Sequence, residues 1–220
     1  MTENGWIVAS DLNGTLTTGS PVLAVARWLA KNQPDSYPPL FELRTLLSYL
    51  QVKAGLKEID TWGKEAMSKV LGLVQSPNLQ TLGAIMEYVV ETELWPKRRV
   101  EPISLLQEYR HQGANLYIIS AAYQPAVDKF ARKISPEGSV GIGTEVVLNA
   151  GSLALADQLN SRDRKISNLL AVIGPRPIEI ALGDTFADIP LLEHAGTAIA
   201  VHPDRKLKNA AREHGWRIID

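Results

Sequence analysis

Ile7-Val8-Ala9-Ser10-Asp11-Leu12-Asn13-Gly14-Thr15 is the stretch on which the fold of this 220-residue chain turns. Small and β-branched apolar residues run into a carboxylate, followed at once by a turn-forming Asn-Gly pair and a hydroxyl. That order predicts a buried strand ending in a loop, with Asp11 presented at its carboxyl end. In an open α/β sheet ligands bind at the carboxyl ends of the strands, so an acid there is well sited for chemistry. Asp, Asn, Gly and Thr are also ordinary turn residues, and a capping role stands beside the functional one for this stretch alone.

Outward from it the pattern is helical. Ser20-Pro21 is a helix start, with Val22, Val25, Ala26 and Leu29 at helical spacing after it. The period continues through Leu40 to Leu50, Ile59 to Val74, and Leu79 to Leu94 with Asn78 as a cap, so residues 20 to 96 read as wholly helical. Beyond Pro96, helices at Pro102 to His111, Pro125 to Ile134, Asn160 to Ile173, Ile189 to Ala195 and Leu207 to His214 alternate with strands. The strands are expected at Leu116 to Ile119, closing on Ser120, and at Thr144 to Leu148, Ile178 to Leu182, Thr197 to Val201 and Trp216 to Ile219. Such alternation calls for a parallel sheet covered on both faces, with the helical stretch inserted after the first strand.

Composition narrows the function. A net charge of -1 provides no general field for nucleic acid or an anionic membrane, so neither is expected as a partner. With no cysteine, disulfides, thiolate metal sites and cysteine nucleophiles are all excluded. No leader-like pattern opens the sequence and no apolar run reaches the roughly 20 residues of a membrane span, which leads to an expected cytoplasmic location.

Four places put polar groups just after a strand or at a helix start: Asp11, Ser120, Lys165, and Asp184 with Asp188 in Gly-Asp-Thr-Phe-Ala-Asp. Each has an ordinary reading, Ser120 as a small strand-ending residue, Lys165 as a solvated helix residue, and the two acids as helix-capping groups. Together, Asp11, Asp184 and Asp188 concentrate negative charge that an oxygen-preferring cation such as Mg2+ would neutralise.

The order and spacing of these groups resemble the haloacid dehalogenase superfamily over nearly the whole chain. Its first motif, an Asp, two positions on a second Asp, then Gly-Thr, is matched by Asp11-Leu12-Asn13-Gly14-Thr15. Its second is matched by Ser120, its third by Lys165, and its fourth by Gly183-Asp184-Thr185-Phe186-Ala187-Asp188. The helical insertion and the closing segment resemble the phosphoserine-phosphatase-like branch. The resemblance implies a three-layer Rossmann-like α/β core, residues 1–19 and 97–220, carrying an all-helical cap, residues 20–96. It implies Asp11 as a nucleophile forming an aspartyl-phosphate, with a small phosphorylated metabolite as substrate and a monomer or homodimer as the assembly. Mg2+ is implied at Asp11, the Asn13 carbonyl and Asp184, with Asp188 in or beside its outer shell. Phosphate is implied at Asp11, Gly14, Ser120, Ala121 and Lys165.

Asn13 departs from the pattern. The superfamily's phosphatases place there the acid that protonates the leaving group and activates water, and an amide can do neither. Three explanations stay open: a weak or non-hydrolytic member, an engineered substitution, and deamidation of Asn13-Gly14. A non-catalytic phosphate- and metal-binding regulator is the rival to an enzyme. The remaining signals are faint. Gly14 to Ser20 lacks the Lys of a P-loop, Gly141-Ile142-Gly143 lacks the third glycine of a dinucleotide fingerprint, and Lys97-Arg98-Arg99 reads first as a solvated linker. Arg44, Lys53, Lys57 and Lys64 are the cap cations from which a substrate-facing group is expected. No Glu lies between Thr15 and Glu42, where phosphoserine phosphatases read their substrate, so phosphoserine is not the expected substrate.

Overall fold

A computed structural model describes residues 5–156 and 158–220, and every side chain among them except that of Lys53. The first strand, β1 (Ile7–Asp11), is followed by four helices, α1 (Pro21–Asn32), α2 (Phe41–Lys53), α3 (Ile59–Leu71) and α4 (Leu79–Val89). The last of these continues as a π-helical turn over Val90–Leu94. Next come α5 (Val100–His111), β2 (Asn115–Tyr123), α6 (Gln124–Ile134), β3 (Ser139–Thr144), and a hairpin of β4 (Val146–Asn149) and β5 (Ser152–Leu155). The chain closes with α7 (Asp163–Ile173), β6 (Ile178–Gly183), α8 (Ile189–Glu193), β7 (Ala195–Val201), α9 (Arg205–His214) and β8 (Arg217–Ile219).

Six strands form one parallel sheet in the order β3-β2-β1-β6-β7-β8. From β1 the chain moves first to β2 on one side and later to β6 on the other, so the direction of winding reverses between β1 and β6. This is the switch point at which α/β sheets bind ligands, and β1 and β6 end there on Asp11 and Gly183. All five residues of β1 are buried, as a central parallel strand requires. Their side chains alternate between faces: Ile7 and Ala9 join Tyr117, Ile119, Leu169, Leu191 and Leu207 in one apolar layer. Val8 joins Leu116, Ile118, Leu182 and Phe130 in the other.

The second layer continues without a break into the inserted helices through Leu94, Met86 and Val25. There α4 and the turn after it lie along α6, with Trp95 edge-on to Phe130 at 5.3 Å and the pairs Lys129–Glu87 and Lys133–Glu91 each at 2.5 Å. The helix starts form as expected: Ser20 caps α1 by accepting from the Leu23 amide, with Pro21 behind it, and Asn78 caps α4 by accepting from the Thr81 amide.

Three expectations after residue 110 need correction. β2 runs on to Tyr123, so Ser120 lies within the strand, where the pairing register to β3 shifts. Residues 139–144 form an edge strand that the sequence conceals, because Ser139, Gly141 and Gly143 are poor strand formers. The glycines serve contact with α6: a Cβ at Gly141 would lie 2.5 Å from the Asp128 amide nitrogen, and one at Gly143 2.6 Å from the Gln124 Cα. Finally α7 begins at Asp163 instead of Asn160. Asn160 is buried and fixes the preceding loop, its amide donating to the Ile142 carbonyl at 2.8 Å and its backbone N–H to the Thr144 hydroxyl at 3.0 Å.

Candidate active site

Asp11, Lys165, Asp184 and Asp188 come together at the switch point, from the ends of β1 and β6, the first turn of α7 and the turn before α8. The Lys165 ammonium donates to Asp11 Oδ1 at 2.6 Å and to Asp188 Oδ1 at 2.5 Å. An ammonium has three N–H bonds, and these contacts use two. Oδ2 of Asp11 and Oδ1 of Asp184 each lie 3.0 Å from the Thr15 hydroxyl, which has one proton for the two carboxylates. Asp188 also accepts, on Oδ2, from the backbone amides of Asp184 and Thr185 at 3.1 and 3.0 Å. Both of its oxygens are thus occupied in holding Lys165 and the Asp184 backbone.

The cluster is short of positive charge. Burial, then the charges of Asp11 and Asp188, push the Asp184 carboxyl up to about 9. Burial raises Asp11 to about 6 against the opposing pull of Lys165. Burial works against the charge on Lys165, but Asp11 and Asp188 outweigh it and hold the ammonium charged. Asp11, Asp184 and Asp188 each offer a carboxylate oxygen within 4.8 Å of the others. A divalent cation fits this donor set, because all donors are hard oxygens and their surplus charge is negative. Gly14 makes room for the Asp184 carboxylate: at φ 97° it has no Cβ, and one built there would lie 1.9 Å from Asp184 Oδ2.

Asn13 stands at the mouth of the cluster with both ends of its amide engaged. Its Nδ2 donates to the Gly19 carbonyl at 3.1 Å, and its Oδ1 accepts from the Ser120 hydroxyl at 3.1 Å. Ser120 in turn accepts from the Ala122 amide at 3.1 Å. Gly14 is tied within its loop, N–H to the Thr17 carbonyl and carbonyl to Arg99 Nε, both at 2.7 Å. Ala121 follows Ser120 in β2 and lines the neighbouring cavity.

Three contributors escape a reading of the sequence. Thr15 links two carboxylates that are 173 positions apart in the chain, by 184 less 11. Arg99 braces the loop after Asp11, which gives the Lys97-Arg98-Arg99 run a structural purpose: Lys97 pairs with Glu93 at 2.5 Å and Arg98 lies over the Trp95 ring at 4.8 Å. Glu93 is buried where the two crossings of the helical insertion meet, accepting from Arg27 at 2.7 Å, Lys97 at 2.5 Å and the Ser20 amide at 3.1 Å. Its carboxyl sits below the usual range, because burial, which would raise it, is outweighed by these donors. No local signal distinguishes such a Glu from a solvated helix residue.

A cavity of about 1160 Å³ opens from Asn13 and Ala121 into the inserted helices. Arg44, Lys57 and Lys64 are not part of its wall: Lys57 pairs with Glu65, and Lys64 lines a smaller cleft with Arg162 and Arg164. The Lys53 side chain lies outside the described residues. Among the described residues no helix is long and apolar enough to cross a membrane.

Comparison with known proteins agrees with this architecture. Phosphoserine phosphatase SerB1 of Mycobacterium tuberculosis is 24% identical over 225 residues, covering 96% of this chain and 69% of that protein. A Bordetella pertussis crystal structure of unknown function superposes with a TM-score of 0.79 at 19% identity, covering 98% of both chains. A substrate-bound phosphoserine phosphatase complex superposes at 0.61 with 14% identity, over 98% of this chain and 93% of that one. At such identities these two structures speak for the fold alone. The family model for haloacid dehalogenase-like hydrolases matches residues 8–193, which spans β1 to α8 and every member of the acidic cluster, and the chain belongs to that family.

Proposed function

We propose that the chain is a phosphomonoesterase or phosphotransferase that works through Asp11. The observation that carries this reading is the buried Asp11 carboxylate, held by Lys165 on one oxygen and Thr15 on the other, beside a second, half-buried acid, Asp184. An Asp11 oxygen attacks phosphorus, the ester oxygen leaves with its bonding electrons, and an aspartyl-phosphate remains. Water then adds to phosphorus, releasing inorganic phosphate and the free carboxylate; an acceptor alcohol in place of water gives transfer. Lys165 keeps one N–H for a phosphoryl oxygen, and Ser120 turns its proton from Asn13 to another. Asp11, Asp184 and the Asn13 carbonyl would hold Mg2+, which when bound supplies charge neutralisation at the phosphoryl oxygens. Asp188 keeps Lys165 and the Asp184 backbone in position. Residues 1–19 with 97–220 act as the core and residues 20–96 as the cap over it.

Asn13 limits the reaction. With no proton to give, the leaving group must depart as an anion, and with no base the second step slows. An aryl phosphate has a good leaving group and bypasses the first difficulty. Incubation with such an ester and Mg2+ should therefore leave a phosphoryl adduct on Asp11, visible by intact mass and peptide mapping and absent in Asp11→Asn. Absence of an adduct, together with absence of turnover, would refute the reading. One observation favours a second reading, a binding protein that does not turn over: both ends of the Asn13 amide are already satisfied, by Gly19 and Ser120.

A further inference from the structure

We infer that the cavity beside Asn13 takes the apolar chain of the phosphomonoester, which makes the substrate class a long-chain alkyl phosphate and not a charged phosphoamino acid. The inference rests on the proposed phosphatase reading for the phosphate end only.

The cavity begins where that site ends. Asn13 and Ala121 belong to its wall, one bonded to Ser120 and the other next to it in β2, so a phosphate at Asp11 would point its ester group into this space. From there the wall is built of Leu23, Phe41, Leu46, Tyr49, Trp62 and Met67. The charged residues of the wall are Glu42 and Asp60, both acidic, and Asp60 pairs with Arg162 at 2.7 Å. Among the described residues no lysine or arginine lines it. The carboxylate of a phosphoamino acid would find no cation in that wall among the described residues and would meet Asp60 and Glu42, the latter 3.8 Å from Arg27 outside the wall, whereas a hydrocarbon chain meets a matching surface. At about 1160 Å³ the cavity exceeds the roughly 300–1,000 Å³ of ordinary small-ligand pockets, far more than a three-carbon metabolite fills.

The outer end explains an otherwise odd surface. Leu43, Leu46, Leu47 and Leu50 follow the i, i+3, i+4, i+7 stripe of α2 and are 49%, 55%, 55% and 50% exposed. A stripe with that spacing ordinarily packs on a core. Here Leu43 and Leu46 line the cavity and Leu47 and Leu50 continue the same apolar stripe along α2, so that face offers the mouth through which a chain enters.

The test is equilibrium binding of a series of n-alkylphosphonates, ethyl to decyl and below micelle formation, against matched n-alkanols, all with Mg2+ present. Affinity should rise with chain length in both series by up to about fourfold per methylene, the equivalent of about 0.8 kcal/mol. Phosphonates should bind more tightly than alkanols of the same length. Equal affinity in the two series, with the length dependence kept, would support the cavity and overturn the phosphate reading. Phosphonate binding indifferent to chain length would overturn the inference and leave the phosphate reading standing. No binding of either series, with the α2 stripe instead buried in a dimer on sedimentation and cross-linking, would overturn it in favour of a second copy as occupant. Leu46 is more than half exposed, so Leu46→Asp should fold, and it should lower the decyl-to-ethyl affinity ratio by about tenfold or more. An unchanged ratio in that folded variant would also overturn the inference.

Discussion

Gly14 and Asp184 are packed so closely that any side chain at residue 14 would occupy the space of the Asp184 carboxylate: a Cβ there would lie 1.9 Å from Oδ2. Gly14→Ala must therefore displace Asp184, and it must also hold an alanine at φ 97°. The expected outcome is a loss of about 1–3 kcal/mol of stability from the strained backbone, together with loss of Mg2+ binding. Calorimetry with and without Mg2+ measures both, and an alanine variant that binds Mg2+ as the parent does would contradict the geometry.

The acidic cluster sets a pH dependence whose sign follows from Asp184. Its carboxyl is raised from 3.8 to about 9, so between those values the folded protein keeps a proton that the unfolded chain has released. Stability of the metal-free protein should then fall as pH rises across that window, by at most about 1.4 kcal/mol per pH unit for this one proton. Asp11, raised to about 6, adds to the fall below that pH. Mg2+ binds the ionised acids, so its stabilising shift should grow with pH, reaching about 2.7 kcal/mol at a hundredfold excess over its dissociation constant. Thermal melts across the window test this, and Asp184→Asn should flatten both trends. An Mg2+ shift equal at the acid and alkaline ends would count against the assignment.

Glu93 gives the opposite sign. Its carboxyl is lowered below 4.5 in the fold, so the stability it contributes is present above 4.5 and is lost as pH falls through the lower folded value. Glu93→Gln should remove that acid-side loss while costing about 1–3 kcal/mol near neutrality for the charged hydrogen bonds given up. Arg27 and Lys97 are each more than two-fifths exposed and recover water, which keeps the cost moderate. A melting temperature unchanged by Glu93→Gln at neutral pH would show that these contacts do not tie the two crossings together.

What could be read from the sequence followed local chemistry. The run Ile7 to Asp11 is apolar up to its acid, and it is the buried central strand. Ser20, Pro21 and Asn78 are capping residues by composition, and they cap. What could not be read depends on partners distant in the chain. β3 is a strand because its glycines let α6 approach, not because its own residues favour extension. The leucines of α2 carry the spacing of a core-facing helix, and only the fold reveals that the described residues leave about half of each exposed. Asp11, Ser120, Lys165, Asp184 and Asp188 were visible as acids, a hydroxyl and a cation after apolar strands or at helix starts. Thr15 and Glu93 acquire their roles only when residues far away arrive beside them.

Residue 13 is where the proposed chemistry is tested most directly. A carboxyl there would face the Gly19 carbonyl that now accepts from the Asn13 amide at 3.1 Å, an arrangement that favours its protonated form, the form that donates to a leaving group. The measurement is kcat for an alkyl phosphate with Mg2+, comparing Asn13→Asp with a parent sample whose residue 13 is verified as amide by mass analysis. General acid-base help is worth about 10²–10⁴-fold, so turnover should rise by that order in Asn13→Asp and vanish when Asp11→Asn is added. A folded Asn13→Asp protein that turns over no faster than the verified amide form would contradict the claim that Asp11 is a complete phosphoryl-transfer site lacking one acid.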